Sequence, residues 1–160
     1  MMQSNRKNHL EELKNKGKQI SDDSFSMGKV LRMALSEDDG IVLKNSAVQR
    51  TKYFVVIGHD QDNGLIASLL VNSNVNENVI NTKMLLDCQF PLRKNDYDFL
   101  HYDSYLDCSE LFELNKIKIL QNGMEIGELT SRDRMLVMEH LRDSEVISTK
   151  LKKRYKIINN

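Results

Sequence analysis

The apolar positions of this chain change their spacing near Gly40. Residues 6–20 are rich in helix formers and show a weakly amphipathic pattern. Residues 25–35 carry a denser stripe at the three- and four-residue intervals of a helix. Together they predict that residues 1–39 form a mainly helical extension outside the main domain, with 25–35 docked on that domain or on a second copy.

From Gly40 onward, short runs rich in β-branched and apolar residues alternate with polar or glycine-containing turns. Runs of this kind predict strands. The Asp-Asn-Gly sequence at 62–64 indicates a hairpin, because Asn and Gly accept a positive φ. The predicted strands cover 41–44, 53–59, 65–71, 82–90 and 104–108, and 115–129 supplies one or two further elements.

The most regular helical pattern lies at 130–143. Thr130 or Ser131 can cap its N-terminus, and Asp133 lies in its first turn. Its apolar stripe consists of Met135, Leu136, Met138 and Leu141. Close-spaced strands followed by one amphipathic helix predict an α+β fold, a small and strongly curved antiparallel sheet or barrel with the helix packed across it. This domain is expected to span 40–145, followed by a basic C-terminal tail at 146–160.

Charge and hydropathy restrict the partners of the chain. Its 160 residues include 23 Lys and Arg against 23 Asp and Glu, so the net charge is zero and binding to nucleic acid requires a local patch. The N-terminus lacks the apolar stretch of a signal peptide, and no apolar run is long enough to span a membrane. These features predict a cytoplasmic protein with no membrane partner.

The two cysteines agree with a reducing compartment. Cys88 and Cys108 have neither C-x-x-C spacing nor a histidine at ligand spacing nearby, so we expect no metal site. Two buried thiols are favoured over a disulfide in such a compartment.

Five segments carry a resemblance to a known family. They are DDGIVLK, RTKYFVVIGHD, LIASLLVNS, LHYDSYLDCSELFELNKIKI and GELTSRDRMLVMEHL, which cover about residues 39–143. Their order and spacing resemble the PemK/MazF family of toxins from bacterial toxin–antitoxin modules. That family has a Gly-Asp-Ile-Val strand, an Arg-Pro-Val-Val-Val-Ile-Ser strand, a strand ending in Thr-Ser, and a closing helix. Few residues are identical.

The resemblance implies an SH3-like barrel, often a homodimer, that cleaves single-stranded RNA without a metal or other cofactor. The 2′-hydroxyl would attack the adjacent phosphate and leave a cyclic phosphate. Such chemistry needs a base for the hydroxyl, an acid for the leaving oxygen and a cation for the phosphate charge. The implied partners are single-stranded RNA and an antitoxin protein.

The resemblance also indicates candidate site residues. Lys52 stands where the family has the Arg of its Arg-Pro pair, and Arg50 can substitute as the phosphate cation from the preceding loop. Ser73 keeps a hydroxyl where the family has Thr-Ser, and Asn72 offers an amide that can read a base. Asn72, Lys44 and Arg50 are therefore the candidate RNA-binding residues.

Two histidines are candidates for proton transfer. His59 ends a predicted strand beside Asp60, and a neighbouring carboxylate raises the pKa of a histidine. The alternative for His59 is a strand-end side chain that points to solvent. His101 lies in an acidic and aromatic segment, where a catalytic role and a structural contact both remain open.

The chain departs from the family pattern in its later half. Asp107 and Ser109 stand where some members carry an Arg and an Asp as acid and base. Residues 96–113 hold six acidic residues and no basic one, which would repel a phosphate backbone. The alternative function is therefore a catalytically degenerate barrel that acts as a protein- or nucleic-acid-binding module.

The basic tail has two interpretations. Residues 150–156 hold five cations, no acid, and Tyr155. This composition is typical of a nucleic-acid patch with a stacking aromatic ring. The interpretation that we favour is a frayed and solvated C-terminus.

Overall fold

An antiparallel sheet organises the residues that the structure, a computed structural model, describes: 17–43, 47–73 and 82–159. The strands in these ranges are β1 (Lys18–Gln19), β2 (Lys29–Leu35), β3 (Arg50–Asp60), β4 (Leu65–Asn72), β5 (Gln89–Leu92), β6 (Ser104–Asp107), β7 (Phe112–Asn115) and β8 (Met124–Glu128). The helices there are α1 (Lys83–Asp87), α2 (Lys116–Asn122), α3 (Ser131–Asp143) and α4 (Thr149–Arg154). None of them is both long and apolar enough to cross a membrane.

The strand order is β1-β8-β2-β3-β4-β6-β5, and every pairing is antiparallel. β7 also pairs with β4, on the edge that faces away from β3. β7 pairs with the first half of β4, and β6 pairs with its end. The hairpin predicted at 62–64 is confirmed, with Asp60 opposite Leu65 and Gly64 at a φ of 62°. The predicted α+β class with an antiparallel sheet is therefore confirmed.

The two central strands bury side chains on both faces of the sheet. Val55 and Ile57 of β3 belong to one apolar cluster, and Phe54 and Val56 to another. A strand covered on both faces is a continuous apolar run in the sequence, as the predicted strands at 53–59 and 65–71 are.

Helix α3 covers one face of the sheet, as predicted for 130–143. Its buried residues are Val137 and Leu141, which join the cluster of Val55. Met135, assigned to the buried stripe from the sequence, is 57% exposed. The buried face is thus rotated slightly from the predicted one.

The prediction that residues 25–35 form a helix is wrong. Residues 29–35 are strand β2, which pairs with β3 on one side and β8 on the other, within the sheet rather than outside it. Val30 faces the cluster of α3, whereas Leu31, Met33 and Leu35 face the opposite cluster. A short run that is apolar on both faces fits a buried strand as well as a helix. Residues 18 and 19 are also a strand, and residues 6–16 lie outside the described ranges.

Two other strand predictions are also wrong. Residues 41–43 form no strand, and residues 83–87 form helix α1, with β5 starting only at Gln89. The Thr82 side chain accepts a hydrogen bond from the Leu85 N–H at 3.2 Å, which caps α1. The strand predicted at 104–108 is confirmed as β6, and 115–129 divides into α2 and β8.

The two cysteines are confirmed as buried free thiols. They lie on adjacent chain segments, where the Cys108 N–H donates to the Cys88 carbonyl at 2.9 Å. Burial raises the pKa of both thiols.

The C-terminal segment packs against the sheet, so the expectation of a frayed end is wrong. Tyr155 and Ile157 are only 4% and 2% exposed, and the Tyr155 hydroxyl donates to Glu113 at 2.7 Å. A buried ring cannot stack on a nucleobase, so the interpretation of Tyr155 as a stacking residue is also wrong.

Lys152 attaches α4 to the end of α3. Its buried ammonium donates to the carbonyls of Arg142 at 2.9 Å and Ser144 at 2.5 Å. The last carbonyls of a helix have no partners within the helix, and a cation there also meets the negative end of the helix dipole. One side chain therefore caps α3 and fixes the following turn.

Replacing Lys152 with methionine should lower the free energy of unfolding by about 1–3 kcal/mol, because two carbonyls lose their donor. Lys153 is exposed, so Lys153→Met should change stability by less than about 0.5 kcal/mol. Denaturant unfolding of both variants measures the difference. Equal stabilities of the two variants would contradict the capping role of Lys152.

Candidate functional site

A cavity of about 320 Å³ opens where β3 begins and β4 ends. These ends coincide because the two strands are antiparallel neighbours. β3 contributes Arg50 and Lys52 to the lining, and the end of β4 contributes Asn72 and the following Ser73. The Lys52 Nζ donates to the Asn72 Oδ1 at 3.2 Å. The hairpin therefore brings a pair of cations, an amide and a hydroxyl together.

The opposite wall of the cavity is the segment that leads into β6. Leu100, His101, Tyr102 and Ser104 belong to the lining. Leu100 and Ser104 are buried, whereas His101 and Tyr102 are exposed. An imidazole and a phenol ring thus share the cavity with the two cations.

The charge of the cavity is positive. Burial lowers the pKa of the half-buried Lys52 amine, and the nearby charge of Arg50 lowers it further. None of the ion pairs formed by the described residues involves Arg50 or Lys52. Two cations in a lining that contains no carboxylate favour an anionic ligand.

Five of the residues singled out from the sequence line this one cavity: Arg50, Lys52, Asn72, Ser73 and His101. Lys44, the other candidate RNA-binding residue, lies outside the described residues. The lining also contains Tyr102 and Ser104, which sequence reasoning did not select. The sequence offered one indication for Tyr102, an aromatic residue within a strongly polar segment, and none for Ser104.

His59 is not brought to the cavity. It lies seven residues beyond Lys52 on β3, which is roughly 20 Å at the rise per residue of a strand. His101, and not His59, is the histidine that lines the cavity.

The surroundings of His59 also differ from the predicted His–Asp couple. Its ring lies 5.7 Å from the ring of Phe25, and its Nε2 is buried with no hydrogen-bond partner among the described residues. Burial and the charge of Lys116 lower the pKa of His59, although Asp60 acts in the opposite direction. The Asp60 carboxylate accepts a hydrogen bond from the Asn63 side chain at 2.8 Å.

Asp107 and Ser109 lie outside the cavity lining. The Asp107 Oδ1 accepts hydrogen bonds from the Ser109 N–H at 3.0 Å, the Ser109 hydroxyl at 2.5 Å and the Gln89 side chain at 3.0 Å. These groups bond to one another around the end of β6, which gives them a structural role.

The acidic residues of 96–113 do not face the cavity. None of the six belongs to its lining. Glu113, at the end of this segment, forms an ion pair with Arg154 at 2.9 Å, and β7 places it against the first half of β4. The acidic side chains of this segment therefore do not form the wall of the cavity, although Asp103 lies between the lining residues Tyr102 and Ser104.

No family model matches the chain, and no curated protein matches it significantly. The side chains in the cavity indicate what chemistry it can perform. Two cations, an imidazole, a hydroxyl and an amide can together bind a phosphate group and transfer a proton beside it.

The lowered pKa of His59 gives a pH dependence of folding. As the pH falls, His59 of the unfolded chain takes up a proton near its ordinary pKa of about 6.5, whereas His59 of the folded chain takes one up only at a lower pH. The contribution of neutral His59 to the free energy of unfolding is thus fully present above about pH 6.5 and is lost as the pH falls below that value. Denaturant unfolding across this range should show the loss.

His59→Leu, which removes the titrating group, should reduce this part of the pH dependence. His101→Gln, which replaces an exposed histidine, should leave it in place. An unchanged pH profile in His59→Leu would show that other groups cause the dependence.

Proposed function

We propose that this chain is a metal-independent endoribonuclease of the PemK/MazF type, the toxin of a toxin–antitoxin module, with the cavity as its active site. The observation that carries the proposal is the convergence of Arg50, Lys52, Ser73 and His101 on one cavity without a lining carboxylate. The order of the five sequence segments over residues 39–143 supports the same family. An SH3-like barrel, a homodimer, a cytoplasmic location and an antitoxin partner are parts of this proposal.

The proposed reaction is an internal phosphoryl transfer. A base removes the proton of the 2′-hydroxyl, the 2′-oxygen bonds to the adjacent phosphorus, and the bond from phosphorus to the 5′-oxygen breaks. An acid protonates the departing 5′-oxygen. The products are a 2′,3′-cyclic phosphate and a 5′-hydroxyl, and the step balances with no other reactant.

Arg50 and Lys52 would hold the scissile phosphate. Negative charge increases on the phosphate oxygens in the transition state, and preorganised cations stabilise that charge. The planar fork of Arg50 can bind two phosphate oxygens, whereas Lys52 contributes a point charge. The Asn72 amide, already beside Lys52, is positioned to bind a base or a sugar hydroxyl near this phosphate.

His101 would take part in the proton transfers of this reaction, because an imidazole can accept or donate a proton near neutral pH. The Ser73 hydroxyl can donate a hydrogen bond to a phosphate oxygen. His59 has no role in this proposal, since it lies at the far end of β3.

A binding module without catalysis is the second candidate. It is favoured by Asp107 and Ser109, which stand where some family members have catalytic residues but bond to each other outside the cavity lining. Such a module would bind RNA through the same cations and leave it intact.

The double variant Arg50→Ala, Lys52→Ala should lose RNA cleavage by at least about a hundredfold, in line with the roughly 3 kcal/mol lost with one oxyanion donor. The two residues are changed together because either cation can cover for the other. The assay is cleavage of a mixed single-stranded RNA pool by purified protein in the presence of a chelator. Expression of the wild type should slow bacterial growth, and the double variant should relieve that effect.

The matched control is Lys150→Ala, Lys153→Ala. It removes the same charge beside the turn between β3 and β4, away from the cavity, and should cleave like the wild type. Full activity in the Arg50, Lys52 variant would place the active site elsewhere. Absence of cleavage by well-folded wild type would favour the binding module.

A further inference from the structure

Tyr102 is exceptional among the aromatic residues of this chain. The sequence has five Tyr, five Phe and no Trp, all ten within the described ranges, and Tyr102 alone is exposed. Its side chain is 70% exposed to solvent and lies in the cavity lining, with its ring centroid 6.5 Å from that of His101. A large ring held in water contributes little to folding, so its position suggests a role in binding.

The backbone around Tyr102 is held firmly. Leu100 and Ser104 on either side are 5% and 6% exposed, and the Ser104 hydroxyl donates to the Tyr102 carbonyl at 2.9 Å. The Asp103 carboxylate accepts a hydrogen bond from the Lys94 N–H at 2.9 Å. The Tyr102 ring therefore projects from an ordered backbone segment. This order reduces the conformational entropy that the protein loses when a ligand packs on the ring.

The neighbours of Tyr102 indicate the chemistry of that ligand. No other exposed large apolar side chain belongs to the described lining of the cavity, so the ring is not part of an apolar patch for a protein partner. It shares the cavity with Arg50 and Lys52, which favour an anion. A flat ring beside two cations fits a nucleotide, whose base stacks and whose phosphate is charged.

We infer that Tyr102 is a stacking platform for one nucleobase of a single-stranded RNA whose phosphate is bound by Arg50 and Lys52. This inference rests on the proposed function in that it takes the cavity as the RNA site. It does not require cleavage. Stacking tolerates every base, so Tyr102 would set the position of the strand and the Asn72 amide would select among bases.

The test measures binding to a 2′-O-methylated RNA, because blocking the 2′-hydroxyl prevents the proposed reaction. The probe is one sequence selected from a mixed 2′-O-methyl pool for binding to the wild type, and fluorescence anisotropy gives its Kd. Tyr102→Ala should bind roughly tenfold more weakly, the effect of losing one stacked base. Tyr102→Phe keeps the ring and should bind as the wild type does.

A set of probes that each lack one base separates stacking from a general loss of affinity. Removal of the stacked base should weaken binding to the wild type but leave binding to Tyr102→Ala unchanged. Removal of any other base should affect both proteins equally. Met135→Ala, a matched truncation of an exposed apolar side chain on α3, should behave as the wild type.

The inference is overturned if Tyr102→Ala binds as tightly as the wild type, or if no base position distinguishes the two proteins. It is also overturned if the wild type binds none of the probes. Cleavage of unmodified RNA is scored separately. If one base affects the wild type but not Tyr102→Ala, and RNA is not cleaved, the stacking platform is supported and the nuclease is rejected. If RNA is cleaved but no such base exists, the nuclease is supported and the platform is rejected.

Discussion

The antiparallel pairing of β3 with β4 is the interaction on which the rest of the structure depends. β3 has 11 residues and β4 has 8, and their middle residues are buried on both faces of the sheet. A one-residue slip would exchange the two faces and bury the wrong side chains in both clusters. The register that the core enforces is also the register that brings Lys52 to Asn72, so the stability of the core and the geometry of the cavity have the same origin.

The irregularity in this pairing coincides with a close approach of the C-terminal segment. The register shifts between Val56 and Gly58, and a Cβ on Gly58 would lie 3.1 Å from the Tyr155 Cβ. Glycine at this position lets the segment after α4 approach the strand closely. The C-terminal segment can then cover the sheet, and Lys152 joins it to the end of α3.

Local patterns in the sequence were sufficient to predict those elements whose structure depends little on their neighbours in the fold. The strands β3 and β4, their turn and helix α3 follow from apolar spacing, a turn sequence and a cap. Strand β2 and helix α1 do not, because a short apolar run buried by its neighbours fits either structure. Similarly, the grouping of Arg50, Lys52, Asn72 and Ser73 follows from one hairpin. His101 and Tyr102 reach the same cavity only because β6 pairs with the end of β4, and no local pattern encodes that contact.

The proposed function is RNA cleavage in this cavity through the 2′-hydroxyl, and the ends of the product strands test it most directly. Purified wild-type protein would be incubated with single-stranded RNA in the presence of a chelator, and the products analysed by mass spectrometry. The account predicts 2′,3′-cyclic phosphate and 5′-hydroxyl ends, formed more slowly by His101→Gln. Products with 5′-phosphate ends, or RNA left intact by the folded protein, would contradict it.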